Sequence, residues 1–95
     1  MYAKVYLLAC ASDKVDALMA HYDSVITPAI RASVYHVGHQ MIQMDDDKWV
    51  LVSNYKSKEA AEAATSMVQE LVNPMIDKFG MSLDLYTEGD VVRSI

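Results

Sequence analysis

The stretch WVLVSNYKSKEAA, Trp49 to Ala61, decides the fold. Val50 and Val52 alternate with Trp49, Leu51, Ser53 and Tyr55, a period of two rich in β-branched and aromatic residues, which predicts a strand. Ser57 ends that strand, because its hydroxyl can accept a hydrogen bond from a free N–H of the turn that follows. Glu59 and Glu62 place negative charge near the positive end of a helix dipole. A strand therefore passes directly into an amphipathic helix.

Downstream of this junction, Ala60, Ala61, Ala64, Met67, Val68, Leu71, Val72, Met75, Ile76 and Phe79 form an apolar helical stripe, and Gly80 is its C-terminal stop. Met81 to Thr87 is the next strand, and Thr87 to Asp90 is a turn before a tail. Upstream, Asp45, Asp46 and Asp47 make a turn, since acidic side chains there cap local backbone groups. Val34 to Met44 is a strand interrupted by Gly38, the mark of a bulge or a bend. Tyr2 to Cys10 is the first strand. Ser12 follows as an N-cap, and Val15, Leu18, Met19, Tyr22, Val25, Ile26, Ala29 and Ile30 form a second helical stripe. Pro28 and Pro74 fall late in their helices, where a missing N–H predicts a bend or a restart, for the first near Thr27.

The two halves repeat each other weakly, with Ile26-Thr27-Pro28-Ala29-Ile30 matching Val72-Asn73-Pro74-Met75-Ile76. The element order is βαββαβ. Right-handed crossovers then give a four-stranded antiparallel sheet in the order 4-1-3-2 with both helices on one face, an α+β, ferredoxin-like single domain over residues 1–95. Tyr6, Leu8, Trp49 and Leu51 are assigned to the helix-free face, where water would meet a wide apolar patch.

A chain of 95 residues that is 53% hydrophobic fits one domain, and a domain of this size hides only about 60–65% of its unfolded surface, so a partner chain would help. The net charge of -5 argues against a surface built to neutralise phosphates or anionic lipid, and neither nucleic acid nor a membrane is an expected partner. Cys10 is the one cysteine, which rules out an internal disulfide and fits a reducing cytoplasm. Lys4, the apolar run Val5 to Ala9 and then Leu7-Leu8-Ala9-Cys10 resemble a short export signal with a lipoprotein-type cysteine. That run falls short of the ~7–15 apolar residues of such a segment, and cleavage there would discard a good strand. No apolar run approaches the ~18–20 residues that span a bilayer.

The segment Val50-Leu51-Val52-Ser53-Asn54-Tyr55-Lys56-Ser57-Lys58-Glu59-Ala60 resembles the third-strand to second-helix junction of the dimeric α/β-barrel superfamily, in its antibiotic-biosynthesis-monooxygenase branch. A valine-rich strand, an aromatic, a serine, a glutamate and an alanine recur there in this order. The element order agrees over nearly the whole chain, while the sharp motif covers the junction alone. The resemblance implies a homodimer whose sheets face each other, with a small cavity between each sheet and its helices or within the barrel. It also implies a cofactor-free oxygenase acting on a polycyclic phenol, held by tyrosine, tryptophan, asparagine or arginine. Trp49, Asn54 and Tyr55 are of the right types but match no fixed motif. Haem-degrading relatives use an asparagine on the first strand and a tryptophan and a histidine on the second helix. This chain has none of these there, so no cofactor is expected.

Face alternation proposes a site. If Asp45 to Lys48 form a four-residue hairpin loop, Met44 pairs with Trp49, Ile42 with Leu51, Gln40 with Ser53 and Gly38 with Tyr55, and His36 shares that face. The aliphatic alternates Val5, Leu7, Leu83 and Leu85 suit the helices, which assigns Lys4, Tyr6, Asp84 and Tyr86 to the helix-free face as well. The candidates are His36 and Asp84 as catalytic groups, with Tyr6, Trp49, Tyr55 and Tyr86 binding a small apolar or aromatic ligand. A one-residue change of the hairpin would turn His36 out and His39 in.

Each candidate has a plainer role open to it. His36 suits a hydrogen-bonded structural histidine, Lys4 and Asp84 a cross-strand ion pair, Trp49 packing between protomers, and Met67 and Met75 core filling. His36 and His39, three apart, point to opposite faces of a regular strand, which disfavours a metal pair. Asp45 to Asp47 lack the spaced ligands of a calcium loop, and three glycines make no phosphate loop. His21 and Ser24 have no acidic third member to make a triad. Two function classes stand: a cofactor-free monooxygenase or isomerase on a small aromatic or polyketide-like substrate, or a non-catalytic ligand-binding or dimer-scaffold protein. The enzyme needs His36 or Asp84 with a perturbed pKa inside a cavity.

Overall fold

Ser57 caps the second helical region as its sequence context predicts, its hydroxyl oxygen accepting from the Ala60 N–H at 3.1 Å. A Ser57→Ala variant is expected to lose about 1 kcal/mol, read as a fall of several degrees in the midpoint of thermal unfolding. The computed structural model describes all 95 residues, Met1–Ile95. In chain order it contains β1 (Tyr2–Ala9), α1 (Val15–His21), α2 (Thr27–Ala32), β2 (His36–Asp45), β3 (Lys48–Tyr55), α3 (Lys58–Ala63), α4 (Thr65–Phe79) and β4 (Ser82–Asp90). The sheet is antiparallel throughout with the order β2-β3-β1-β4, the ferredoxin-like arrangement expected from the element order. No helix is long and apolar enough to cross a membrane.

The helices cover the opposite sheet face from the one expected. Leu8 and Trp49 lie in one core cluster with Leu18, Tyr22 and Ile26 from the first helical region and Met75 and Phe79 from α4. Tyr2 and Tyr55 pack against Ala61 and Ala64. The face bearing Tyr2, Lys4, Tyr6, Leu8, Trp49, Leu51, Ser53 and Tyr55 is therefore the helix side. The cause is reach: a cavity separates much of the sheet from the helices, and long aromatic side chains span that gap where valines would leave it empty. The helix-free face carries the aliphatic set instead. Ile42 pairs with Val50, Val50 with Leu7 and Leu7 with Leu85, an apolar row across all four strands.

Both proline expectations meet the backbone differently. Between α1 and α2, residues Tyr22–Ile26 form a π-helical turn, in which the Thr27 N–H bonds the Tyr22 carbonyl, and a new helix starts at Thr27 with Pro28 in its first turn. Pro74 instead sits inside α4, which runs on to Phe79 without a restart. Pro74 and Glu70 are both exposed, so water can take the carbonyl that the proline leaves unpaired. The break in the second helical region lies at Ala64. Gly80 ends α4 in the left-handed region at φ 63°, as a C-terminal glycine should. Ser12 makes no cap: Ala11 occupies that position and no side chain bonds the free N–H groups. The expected turn at Thr87 to Asp90 is also absent, because β4 continues to Asp90 opposite Tyr2.

Candidate functional site

Three irregularities in the sheet decide which side chains meet. The turn between β2 and β3 is Asp46-Asp47, and the Asp45 carboxylate accepts from the Asp46 N–H at 2.8 Å. Asp45 faces Lys48, but the next pair is Gln43 with Trp49, so Met44 is an extra residue. The expected pairs of Met44 with Trp49 and Ile42 with Leu51 are thereby each displaced by one. Met41 faces Leu51, and His39 faces Ser53 on the helix side. A second extra residue, Val37, falls between His36, opposite Tyr55, and Gly38, opposite Asn54. This is the irregularity that Gly38 announced, and a side chain there would press on Asn54, whose amide nitrogen lies 3.3 Å from where a Cβ would stand. The second bulge returns His36 to the helix side. Both histidines thus share one face, against the expectation from a regular strand.

The third irregularity removes a candidate. Leu7 faces Leu85 and Leu8 faces Leu83, which leaves Asp84 as the extra residue of β4. Asp84 is exposed and accepts a hydrogen bond from the Ser82 hydroxyl at 3.1 Å. It does not line the cavity, and Leu83 takes its place. Asp84 therefore stands outside the cavity and is not paired with Lys4. Lys4 lies opposite Glu88, with 4.0 Å between ammonium and carboxylate.

Between the sheet and α4 lies a cavity of about 360 Å³ lined by 23 residues, 16 of them hydrophobic, within the ~300–1,000 Å³ typical of small-molecule sites. The sheet contributes Lys4, Tyr6, His36, His39, Leu51, Ser53 and Tyr86, and the helices Tyr22, Val68, Gln69, Val72 and Asn73 among others. Tyr6 and Tyr86 are therefore where a ligand could touch them, their rings 5.1 Å apart. Trp49 and Tyr55 are not. Trp49 is 2% exposed in the core and Tyr55 1% exposed beneath the His36 ring, their centroids 4.5 Å apart. Neither is among the residues that line the cavity.

The two histidines differ in what holds them. His39 Nε2 meets the Tyr22 hydroxyl, and Nδ1 lies 2.8 Å from Ser53 Oγ. Burial pushes the Tyr22 phenol well above its ordinary range, so it keeps its proton. Burial, with His36 beside it, lowers His39 to about 4. Both nitrogens are engaged and the ring is neutral, a structural histidine. His36 Nδ1 lies 2.7 Å from Ser33 Oγ, which also accepts from the Tyr35 N–H at 3.2 Å. Its Nε2 is buried and has no partner, and the residue is one of those that line the cavity. Burial first, and the Lys4 charge second, hold His36 below the usual histidine range. A hydroxyl both donates and accepts. Ser33 can therefore take Nδ1–H and leave a lone pair on Nε2, or donate to Nδ1 and leave Nε2 protonated, so His36 can offer the cavity a base or an acid.

His36 was legible in the sequence, and His39 was the stated alternative to it. Ser33, the partner of His36, carried no signal, and Ser53 was placed on the His36 face but not recognised as the partner of His39. Tyr22 read only as part of a helical stripe. The π-helical turn that begins at Tyr22 is an irregularity frequent at functional sites, and the tyrosine just ahead of the Ile26-Thr27-Pro28 break was the available clue.

Such an assembly is a ferredoxin-like α+β domain with a ligand-sized cavity between sheet and helices. The same fold is found in HapK from Hahella chejuensis, at 14% identity over 99% of this chain and 95% of that one with a TM-score of 0.84. It is found in a dimeric ferredoxin-like protein from an uncultured marine organism, at 12% identity over 99% and 96% with a TM-score of 0.75. A variant of SnoaB, a cofactor-independent oxygenase from Streptomyces nogalater, matches at 9% identity over 99% and 95% with a TM-score of 0.70. Other proteins of this fold are described as antibiotic biosynthesis monooxygenases or as candidates for that class. Neither a protein-family model nor a curated protein matches the sequence. At these identities the likeness establishes the fold, the one that the Val50 to Ala60 junction led us to expect.

Proposed function

We propose that this protein is a homodimer that binds a small aromatic or polyketide-like molecule between sheet and helices and oxygenates it without a cofactor. The observation that carries the reading is His36, a residue of the mostly apolar cavity lining whose buried Nε2 has no hydrogen-bond partner. In that role Nε2 removes a proton from a phenol or from an adjacent activated CH₂, leaving an electron-rich anion. The anion reduces O₂ itself, so that CH₂ and O₂ become C=O and H₂O with the substrate as the only reductant. The description of a structural neighbour as a cofactor-independent oxygenase supports this choice. The test is oxygen uptake with a hydroxyanthrone, a tricyclic phenol with an acidic CH₂, in the presence of a chelator and without flavin. Acceleration over buffer is expected. Tight binding with no acceleration would leave the non-catalytic binding protein as the better reading.

Assembly follows from the helix-free face. Ile42 and Leu85, at the two ends of the apolar row, are 49% and 58% exposed, and a second copy laid on that face would cover them. A specific interface there should bury more than ~1,200 Å² in total. A structural neighbour described as a dimeric ferredoxin-like protein supports it. Sedimentation is expected to give a dimer at micromolar concentration, and Leu7→Glu, which would bury an unpaired carboxylate from each copy, a monomer. A wild-type monomer would refute the assembly.

A further inference from the structure

The chain has 13 acidic and 8 basic residues, yet Lys4 is the one formally charged residue among those lining the cavity, and no aspartate or glutamate is among them. A shallower recess that shares His36 and His39 is lined by Arg31 and again by no acid. The sign is opposite to that of the chain as a whole. Only 11% of the Lys4 side chain is exposed, and its ion-pair partner Glu88 stands 4.0 Å away with 35% of its own side chain in solvent. The Glu88 carboxylate already accepts a hydrogen bond from the Tyr86 hydroxyl. The Lys4 side chain is therefore largely withdrawn from water and its charge only partly neutralised, a state that an anion beside it would relieve. Lys4 Nζ lies 5.8 Å from the centre of the Tyr55 ring, against which His36 also packs. The partly paired ammonium and the His36 imidazole border the same aromatic ring.

We propose that the cavity takes its aromatic ligand as an anion, a phenolate, enolate or carboxylate whose oxygen rests against Lys4 within reach of His36 Nε2. This inference depends on the aromatic-ligand reading above and adds the charge of what is held. The ammonium gives the anion a charge-assisted hydrogen bond, roughly twice as strong as a neutral one. No carboxylate lines the cavity, and the one acid beside the ammonium, Glu88 at 4.0 Å, competes with the ligand for Lys4 from outside it. A neutral ligand of the same shape would leave the ammonium as poorly compensated as before.

The test compares two probes of one shape by titration calorimetry at neutral pH, a hydroxynaphthoate anion and the corresponding uncharged hydroxynaphthamide. The wild type is expected to bind the anion at least about tenfold more tightly. Lys4→Met should erase that preference while amide binding stays within about twofold, and Lys4→Arg should keep much of it. Glu88→Gln, by freeing Lys4, should tighten the anion about threefold, on the scale of a partly exposed ion pair. Equal binding of both probes by the wild type, or an equal loss of both in Lys4→Met, overturns the proposal while the aromatic-ligand reading stands. Binding of neither probe overturns that reading and this inference with it.

Discussion

Replacing His36 with glutamine is expected to lower the rate of oxygen uptake by about 10²–10⁴-fold, the usual contribution of a positioned proton acceptor. Glutamine keeps a polar group beside Ser33 but cannot take a proton at neutral pH, so affinity for the ligand should change little. Single-turnover rates and calorimetric affinities measured together separate the two effects, and an unchanged rate would remove His36 from the chemistry. Burial and the Lys4 charge hold His36 below the ordinary histidine range, so its base form persists to lower pH than a free histidine allows. The rate should therefore be flat through neutrality and fall only on the acid side. A rate that rises through pH ~6.5, the pKa of an unperturbed histidine, would point to a different base.

The layout of the fold was legible because each element announces itself by period. The alternation of Trp49 to Tyr55, the cap at Ser57 and the stop at Gly80 were each found in place, and the element order then left few topologies open. Which sheet face the helices cover was not legible. Val5 and Leu7 on one side of β1 are as apolar as Tyr6 and Leu8 on the other, and hydropathy alone cannot choose between two apolar faces. The deciding factor is volume: a helix layer held off by a cavity selects long side chains, and the helix-free face carries the aliphatic ones. Side-chain length was visible in the sequence, but its meaning depends on a cavity that only the folded chain has.

The site was half legible for a different reason. His36, Tyr6 and Tyr86 all line the cavity, but their company depended on register. Each of the extra residues Met44, Val37 and Asp84 flips every later side chain of its strand. Met44 carries no feature that marks it as unpaired. Val37 is betrayed only by the glycine after it. Asp84 read as a carboxylate in the cavity because regular alternation from Tyr86 requires it there. Two successive bulges in β2 cancel for His36, which is why that residue was found where expected although its neighbours were displaced.

Lowering the pH from neutrality should unfold the protein more steeply than its carboxylates alone would require, and His39 is the cause. Its pKa in the folded chain is about 4, against about 6.5 in an unfolded one. Between these values the unfolded chain binds the proton and the folded chain refuses it, so stability is complete above pH ~6.5 and is lost as pH falls toward ~4. Since His39 is only partly buried, the loss is expected to be about 2 kcal/mol, less than the full shift would give. His36, lowered in the same direction, adds to it. Protonation would also force one nitrogen of His39 to give up its role as acceptor between Tyr22 and Ser53, where both flanking groups are hydroxyls. Urea midpoints for the wild type and His39→Gln across this range isolate the effect, because the carboxylates are common to both. The variant should be less stable at neutral pH, having lost a hydrogen bond within the core, and should depend less on pH below it. Parallel curves for the two proteins would show that His39 accepts its proton in the folded state, and that the bonds to Tyr22 and Ser53 do not hold it neutral.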